Sequence, residues 1–353
     1  MAFRLEQIDY SDKERRFIPM LSFKSIRYAA VLFLICAGFF WVSYIPCAIA
    51  SEKPVVIKFA HEAGTTHQLH LAAEKFKDYV EKESNGRLKI NIYPAAQLGR
   101  GKELAEGLLS GSIEMINTAL YALIFLGVTD LGVLEMPYLF RNRYHAYKVL
   151  DGETLSSIHK QLEDKGVKII DYFEIGLRHV TNNKRPIHTP EDLKGLKLRV
   201  QPMKMWLEFA KALGAIGTPV SFSDLYTSLQ QGVVDGQENP IATIKVTKVY
   251  EVQKHLSLTA HSYTPAPVSI GTKFFNKLSP DFQNIIEDGA HMAAAWERQY
   301  LIDKEKEDLE YLKRQGVLVV EKPNISAFIN ATMPLYNIMG YSPNFVKKIK
   351  DVR

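Results

Sequence analysis

The chain has 353 residues, 46% of them hydrophobic and 24% charged, which is enough to bury one full core or two and excludes a disordered or collagen-like protein. Its 44 basic residues against 39 acidic ones leave a net charge of only +5, with no run of five or more like charges. The footprint of a phosphate-backbone binder is therefore missing, and nucleic acid is not an expected partner.

The first element is the apolar stretch Ala29–Ile45, AAVLFLICAGFFWVSYI, preceded by Lys24 and Arg27 and followed by Ala48-Ile49-Ala50. A charged segment, an apolar segment and a small-x-small triplet in that order predict a signal peptide in residues 1–50, cleaved after Ala50 into an oxidising, periplasmic compartment. An uncleaved anchor is the alternative, since 17 apolar residues stand at the lower limit of a bilayer span. Residues 1–19 are polar and charged without targeting logic, so translation is expected to start at Met20. Residues 1–50 carry six basic and four acidic side chains, so the remainder has 38 basic and 35 acidic residues, a charge of +3. Cys36 and Cys47 both lie in that segment, which leaves the mature chain no disulfide, thiolate nucleophile or Cys-bound metal.

VVIKFAH from Val55 reads as a buried strand, and His67–Lys82 as a helix with Leu69, Ala72, Ala73, Phe76, Tyr79 and Val80 on one face. A turn at Asn85-Gly86, a strand LKINIY, a helix Lys102–Leu109 ending at Gly111 and a strand IEMINTA follow. Strands separated by helices predict parallel pairing in an α/β sheet. The pattern restarts with two strands, VKIIDYFE and RHVTNN, a helical start at Thr189-Pro190, and a strand LKLRV. One helix bearing Trp206, Phe209, Ala210 and Leu213 ends at Gly214, and another runs from Ser223 to Gln231. Two such units predict two lobes rather than one large sheet. From Ser279 to Gly316 helical spacing continues with Gly289 as the one breaker, enough for a helix of roughly 54 Å that crosses both lobes.

No G-x-S-x-G elbow, Walker loop, H-E-x-x-H or G-x-G-x-x-G occurs. His61, Glu62, His67 and His70 cluster in HEAGTTHQLH, but two histidines at i, i+3 fall short of a metal set, and no metal or cofactor is expected. His61 and Glu62 as an acid–base pair on an acidic substrate would be the enzymatic alternative. Arg178 follows a strand, and Arg199 sits inside LKLRV, where alternation buries one face. A buried strand arginine needs an anion, either an internal carboxylate or a ligand whose carboxylate fits its planar fork. The sequence leaves both open. Trp206, Trp296 and Tyr138-Leu139-Phe140 read as core.

The segment Arg199–Pro240, with RVQPMKMW, TPVSFSDLYTSLQQG and VVDGQENP, resembles the DctP-type extracytoplasmic solute receptors of TRAP transporters. FAHEAGTTHQLHLAAEKF, YPAAQLG, LEMPYLFRN, GLRHVTNNKRPI and YEVQKHLSLT extend the likeness over essentially all the chain from Val55. The resemblance implies a two-lobed α/β periplasmic binding protein with a long helix spanning both lobes. It divides the mature chain into lobe I (51–176 plus 265–304) and lobe II (177–264 plus 305–353). It implies that Arg199 clamps a ligand carboxylate, Asn239 assists, Arg178 adds a second basic contact and Phe222 packs over the ligand, while Glu62, Tyr121 and His61 face the cleft. Near Ala119, where sialic-acid receptors place an acid, this chain has small and apolar residues, so that ligand is not expected. The implied function is a monomeric receptor, not an enzyme, that hands an organic acid, a C4-dicarboxylate or a sugar acid, to the small and large TRAP membrane subunits. A ligand-binding sensor for a membrane kinase would share the same sequence features.

Overall fold

The computed structural model describes residues 53–353; the signal-peptide and Met20 expectations lie outside the described residues. β1 (Val55–His61) pairs in parallel with β2 (Leu88–Tyr93) and β3 (Met115–Asn117), linked by α1 (Gln68–Glu83) and α2 (Gly101–Ser110). α3 (Arg143–Leu150) and α4 (Ser156–Asp164) lead into β4 (Val167–Asn182). β5 (Lys197–Val200), α5 (Lys204–Ala212) and β6 (Ile216–Pro219) follow, then α6 (Leu225–Gln230), β7 (Gly236–Asn239) and α7 (Ile241–Val246). β8 (His255–Gly271) returns across the molecule, and α8 (Pro280–Arg314) and β9 (Leu318–Val320) follow it, with three short helices ending the chain.

All nine strands among the described residues join one sheet in the order β2-β1-β3-β8-β4-β7-β5-β6, with β9 beside β8. Parallel pairing holds within β2-β1-β3 and within β7-β5-β6, but β8 runs antiparallel to β3 and β4, and β4 to β7. The sheet is therefore mixed. The expected strands VKIIDYFE and RHVTNN are one 16-residue strand, β4, paired along its length with β8. Register shifts at Ile169/Asp171, Glu174/Gly176 and Arg178/Val180 bend this ribbon without breaking it. β8 runs through Pro265 and Pro267, which remove ladder donors opposite Glu174 and Tyr172.

Two large apolar clusters cover the faces. One packs α1 and the first half of α8 against β1, through Phe59, Phe76, Phe173, Ile286 and Ala290. The other includes Leu131, Val133, Leu134, Trp206, Phe209 and Phe328. α8, 35 residues long, continues from the first cluster to a third around Ile241, Ile244, Leu256 and Leu312, so one rod packs on both halves of the sheet. Ser279 caps it and Pro280 opens it. Gly289, the expected breaker, lies inside an unbroken helix: a Cβ there would meet Val80 Cγ2 at 2.9 Å and Tyr79 Cδ1 at 3.1 Å. Its role is the close approach of α8 to α1. No helix among the described residues is long and apolar enough to cross a membrane.

Candidate functional site

β1, β3, β5 and β7 end around one cavity of about 60 Å³, where α/β sheets place ligands beyond the carboxyl ends of their strands. A water needs roughly 10–15 Å³ on this measure, so the space suits a compact molecule of a few water volumes. Glu62 follows β1, Asn117 ends β3 with Thr118 beyond it, Gln201 follows β5, and Asn239 ends β7. Arg199 comes from β5, Arg178 and Ile175 from β4, His67 from the start of α1, Thr243 from α7 and Phe222 from the turn before α6.

The two arginines differ in what they already hold. Arg178 is buried and bonded to the Glu238 carboxylate through Nε and, at 2.9 Å, through a terminal nitrogen that also reaches the Glu238 carbonyl at 2.7 Å and Asn239 Oδ1 at 3.0 Å. Its guanidinium also lies 5.2 Å from the Trp206 ring centroid. Arg199 is 1% exposed, and among the described residues its one side-chain hydrogen bond runs from Nε to the Val220 carbonyl at 2.9 Å. Arg199 lines the cavity and is bonded to no carboxylate among those residues, while the charges of Glu238 and Glu62 act on it from further away. Burial holds its guanidinium well below the ordinary value, at about 10. Of the two anions the sequence allowed, Arg178 meets the internal carboxylate and Arg199 does not.

Glu62 accepts hydrogen bonds from Thr118 Oγ1 at 3.0 Å and from the Tyr121 hydroxyl at 2.6 and 2.9 Å to its two oxygens. Burial, then the Glu62 charge, pushes the Tyr121 hydroxyl up, so it stays a donor. The Glu62 loop is braced from behind: Ala95 and Ala96, both at positive φ, donate to the Ala63 and His61 carbonyls at 2.8 and 3.1 Å. Gly101 opens α2 because the Tyr121 ring lies where a Cβ would be, 2.1 Å from Cε2. Asn239 donates to Gln237 Oε1 at 2.5 Å while its oxygen serves Arg178. Phe222 is half-buried and meets His67 edge-on, with ring centroids 6.3 Å apart.

His61 does not line the cavity; its Nε2 lies 3.1 Å from His70 Nδ1. Burial and then His70 hold it down at about 4, which leaves it neutral and bonded away from Glu62. His67 does line it: Nδ1 accepts from the Leu69 amide at 3.3 Å, so Nε2 is the donor to Thr243 Oγ1 at 3.2 Å. Burial and His61 hold it at about 3, neutral. Sequence reasoning missed Asn117, Thr118, Gln201 and Thr243; the signal open to it was position just past a strand or at a helix start.

Sequence reasoning also missed Glu135, fully buried behind Arg178 and accepting from Trp206 Nε1 at 2.8 Å. Burial pushes it from the ordinary 4.5 up to about 7, against the opposing pull of Arg178 and the indole N–H. A folded value raised in this way means stability fully present below the unfolded value and lost as pH rises through the folded one. The span corresponds to about 3 kcal/mol. Glu135→Gln should therefore gain about 2 kcal/mol relative to the wild type between pH 5 and 7.5, measured by denaturant unfolding at both values. An unchanged difference would show that Glu135 does not titrate there.

The model of the bacterial extracellular solute-binding proteins, family 7, matches residues 59–342. The chain is 34% identical over 312 residues to the 2,3-diketo-L-gulonate-binding periplasmic protein of Escherichia coli K12, covering 88% of this chain and 92% of that one. It is 32% identical over 267 residues to the C4-dicarboxylate-binding periplasmic protein of Rhodobacter capsulatus, 76% of this chain and 80% of that one. It superposes with a TM-score of 0.81, at 34% identity, on the crystal structure of a TRAP periplasmic solute-binding protein from Polaromonas sp. JS666 bound to D-erythronate, over 85% of this chain and 99% of that one.

Proposed function

The chain belongs to family 7 of the bacterial extracellular solute-binding proteins, and from that membership we propose that it binds an organic acid between its lobes with Arg199 as the carboxylate clamp. The family consists of periplasmic solute receptors with a two-lobed α/β fold, not of enzymes, and its TRAP members work with membrane subunits. The observation that supports the reading is Arg199, a buried cation on the cavity that forms no ion pair or carboxylate hydrogen bond with the described residues, although the Glu238 and Glu62 charges lie near enough to act on it. Such a group makes the closed, empty cleft unfavourable, and a ligand carboxylate supplies both charge and acceptors. Relatives named for diketogulonate and C4-dicarboxylate binding, and one bound to D-erythronate, have a carboxylate in common.

In this reading Phe222, Glu62 and Tyr121 select the ligand. Arg178, its charge answered by Glu238, holds the cavity wall more than it contacts the ligand, Asn239 orients it, and His61 supports the wall from behind. The lobes, 51–176 plus 265–304 and 177–264 plus 305–353, would meet where Gly176 pairs with Thr264 beside a bulge in the β4–β8 ribbon. His67 on Thr243 and the two-pronged Arg100–Asp224 pair at 3.1 and 3.4 Å would then bridge the cleft when it is closed. The protein is exported with cleavage after Ala50, works as a monomer and presents its closed face to the small and large TRAP subunits.

The test is thermal unfolding against a panel of mono- and dicarboxylates, sugar acids and aromatic acids. A ligand at about 1,000 times its Kd adds about 4.1 kcal/mol and should raise the Tm by several degrees. No shift with any acid, in protein shown by mass spectrometry to carry no co-purified ligand, would overturn the receptor reading.

A further inference from the structure

Resting on that reading, the pair of His67 and Thr243 does more than wall the cavity. The two come from opposite lobes, His67 from the start of α1 and Thr243 from α7, and meet with Nε2 3.2 Å from Oγ1. His67 is 3% exposed, and the Phe222 ring that meets it edge-on also belongs to lobe II. The hydrogen bonds through the pair run one way. The Leu69 amide can only donate, so His67 Nδ1 is the acceptor that caps α1, Nε2 carries the proton, and Thr243 Oγ1 accepts it. The Thr243 hydroxyl keeps its own proton as a donor, which goes to no acceptor among the described residues while the side chain lines the cavity.

A second proton on the imidazole has no place in this arrangement. On Nδ1 it would confront the Leu69 N–H at the positive end of a 16-residue helix, shut away from water by Phe222 and Thr243. No neighbouring anion is free to answer it. Glu62 is bonded to Tyr121 and Thr118, Arg178 and Arg199 add cations from β4 and β5, and Asp224, beyond Phe222, is held by Arg100. On α7 Lys245 is bonded to Asp308, and on α1 His70 is bonded to His61, whose ring opposes a charge on His67. We infer that His67 is a proton-linked clasp: it closes on Thr243 only as the neutral Nε2–H tautomer, sets the Thr243 hydroxyl as a donor to the bound acid, and makes capture of the acid shed a proton.

When the lobes part, Phe222 and Thr243 leave with lobe II and the ring meets water. The imidazole then titrates nearer its ordinary 6.5, against about 3 in the closed structure. A base lowered on closing gives closure its full strength above the open value and loses it as pH falls below that value. The proton passes from the imidazolium to solvent as the cleft shuts. Capture is therefore strongest at neutral pH and weakens by about tenfold at pH 5.5.

The experiment is calorimetry with D-erythronate, D-gluconate, D-glucuronate and meso-tartrate at pH 7.5, following the tightest of them to pH 5.5, where such carboxylates stay largely ionised. Circular dichroism checks the fold at each pH. The Kd should rise about tenfold, and runs in two buffers of different ionisation enthalpy should show roughly one proton released per acid bound at pH 5.5. His67→Asn, which still caps a helix and does not titrate, should flatten the profile and release no proton. Glu135 titrates in the same range and remains in that variant, so a profile that persists there belongs to another group and overturns the clasp. Thr243→Val should weaken binding at pH 7.5 about tenfold, and Thr243→Ser should restore it. A wild-type Kd that does not change with pH, or a Thr243→Val variant that binds like the wild type, overturns the inference and leaves the receptor reading standing. Binding of none of these acids at pH 7.5 overturns the receptor reading and the clasp with it.

Discussion

Replacing Arg199 by methionine is expected to weaken ligand binding strongly and at the same time to stabilise the empty protein. The two effects have opposite signs because the guanidinium is buried with a carbonyl but no carboxylate bonded to it. Its depression from 12.5 to about 10 by desolvation means that the folded protein holds a charge it would rather release. For a base lowered in this way, the full cost applies at every pH below about 10 and eases only above it, so it is undiminished at neutral pH. Methionine keeps most of the side chain's volume and removes the charge, and the ligand-free protein should gain about 1–3 kcal/mol, a Tm rise of a few degrees. Binding loses about 2–5 kcal/mol, or roughly 30- to 5,000-fold in Kd, because a ligand carboxylate is then buried with no cation opposite. Calorimetric titration and melting of the empty protein read the two effects separately. A variant that binds within tenfold of the wild type, or that is less stable when empty, would show that Arg199 is structural.

The legible part of the fold is the part written in local periodicity. α1 announces itself through Leu69, Ala72, Ala73, Phe76 and Val80, all buried, and α8 through 35 residues without an internal proline. What was not legible is the long β4–β8 ribbon that ties the sheet together. Pro265 and Pro267 argue against a strand by any local rule, and Gly176 interrupts the β4 pattern, yet the ribbon survives because bulges absorb the missing donors and neighbours on both sides supply the burial. Parallel pairing failed as a general expectation for the same reason: it is correct for the βα units, and the crossing strands lie outside them. At the site, Arg199, Glu62, Tyr121 and Phe222 could be named from the sequence, and all four reach the cavity. Gln201 and Asn117 were missed, because their one signal is position at a strand end and a neutral amide adds no chemical pattern to it. Nor was the difference between the arginines legible: Glu238 lies 60 residues from Arg178, and only the β4–β7 register, with Val180 opposite Glu238, sets them together.

That register makes a second large effect predictable. Glu238→Gln should destabilise the fold by about 3–5 kcal/mol, since it leaves the Arg178 charge buried beside a neutral amide. Burial alone would raise Glu238, but Arg178 and then His261 more than offset this and hold it below the ordinary carboxylate range. A carboxylate lowered in this way contributes stability that is present above the unfolded value and lost as pH falls through the folded one. The wild type should therefore lose this contribution on acidification, whereas Glu238→Gln has none to lose, and their denaturant midpoints should converge toward low pH. The double variant Arg178→Met/Glu238→Gln separates pairing from packing: with both charges gone it should recover most of the loss, giving a coupling of several kcal/mol. If the double variant is as unstable as the single one, the pair holds the cavity wall by shape and not by charge. If it folds well and still binds the acid, Arg178 is scaffolding and the carboxylate is held by Arg199, which is the division of labour the two hydrogen-bond patterns imply.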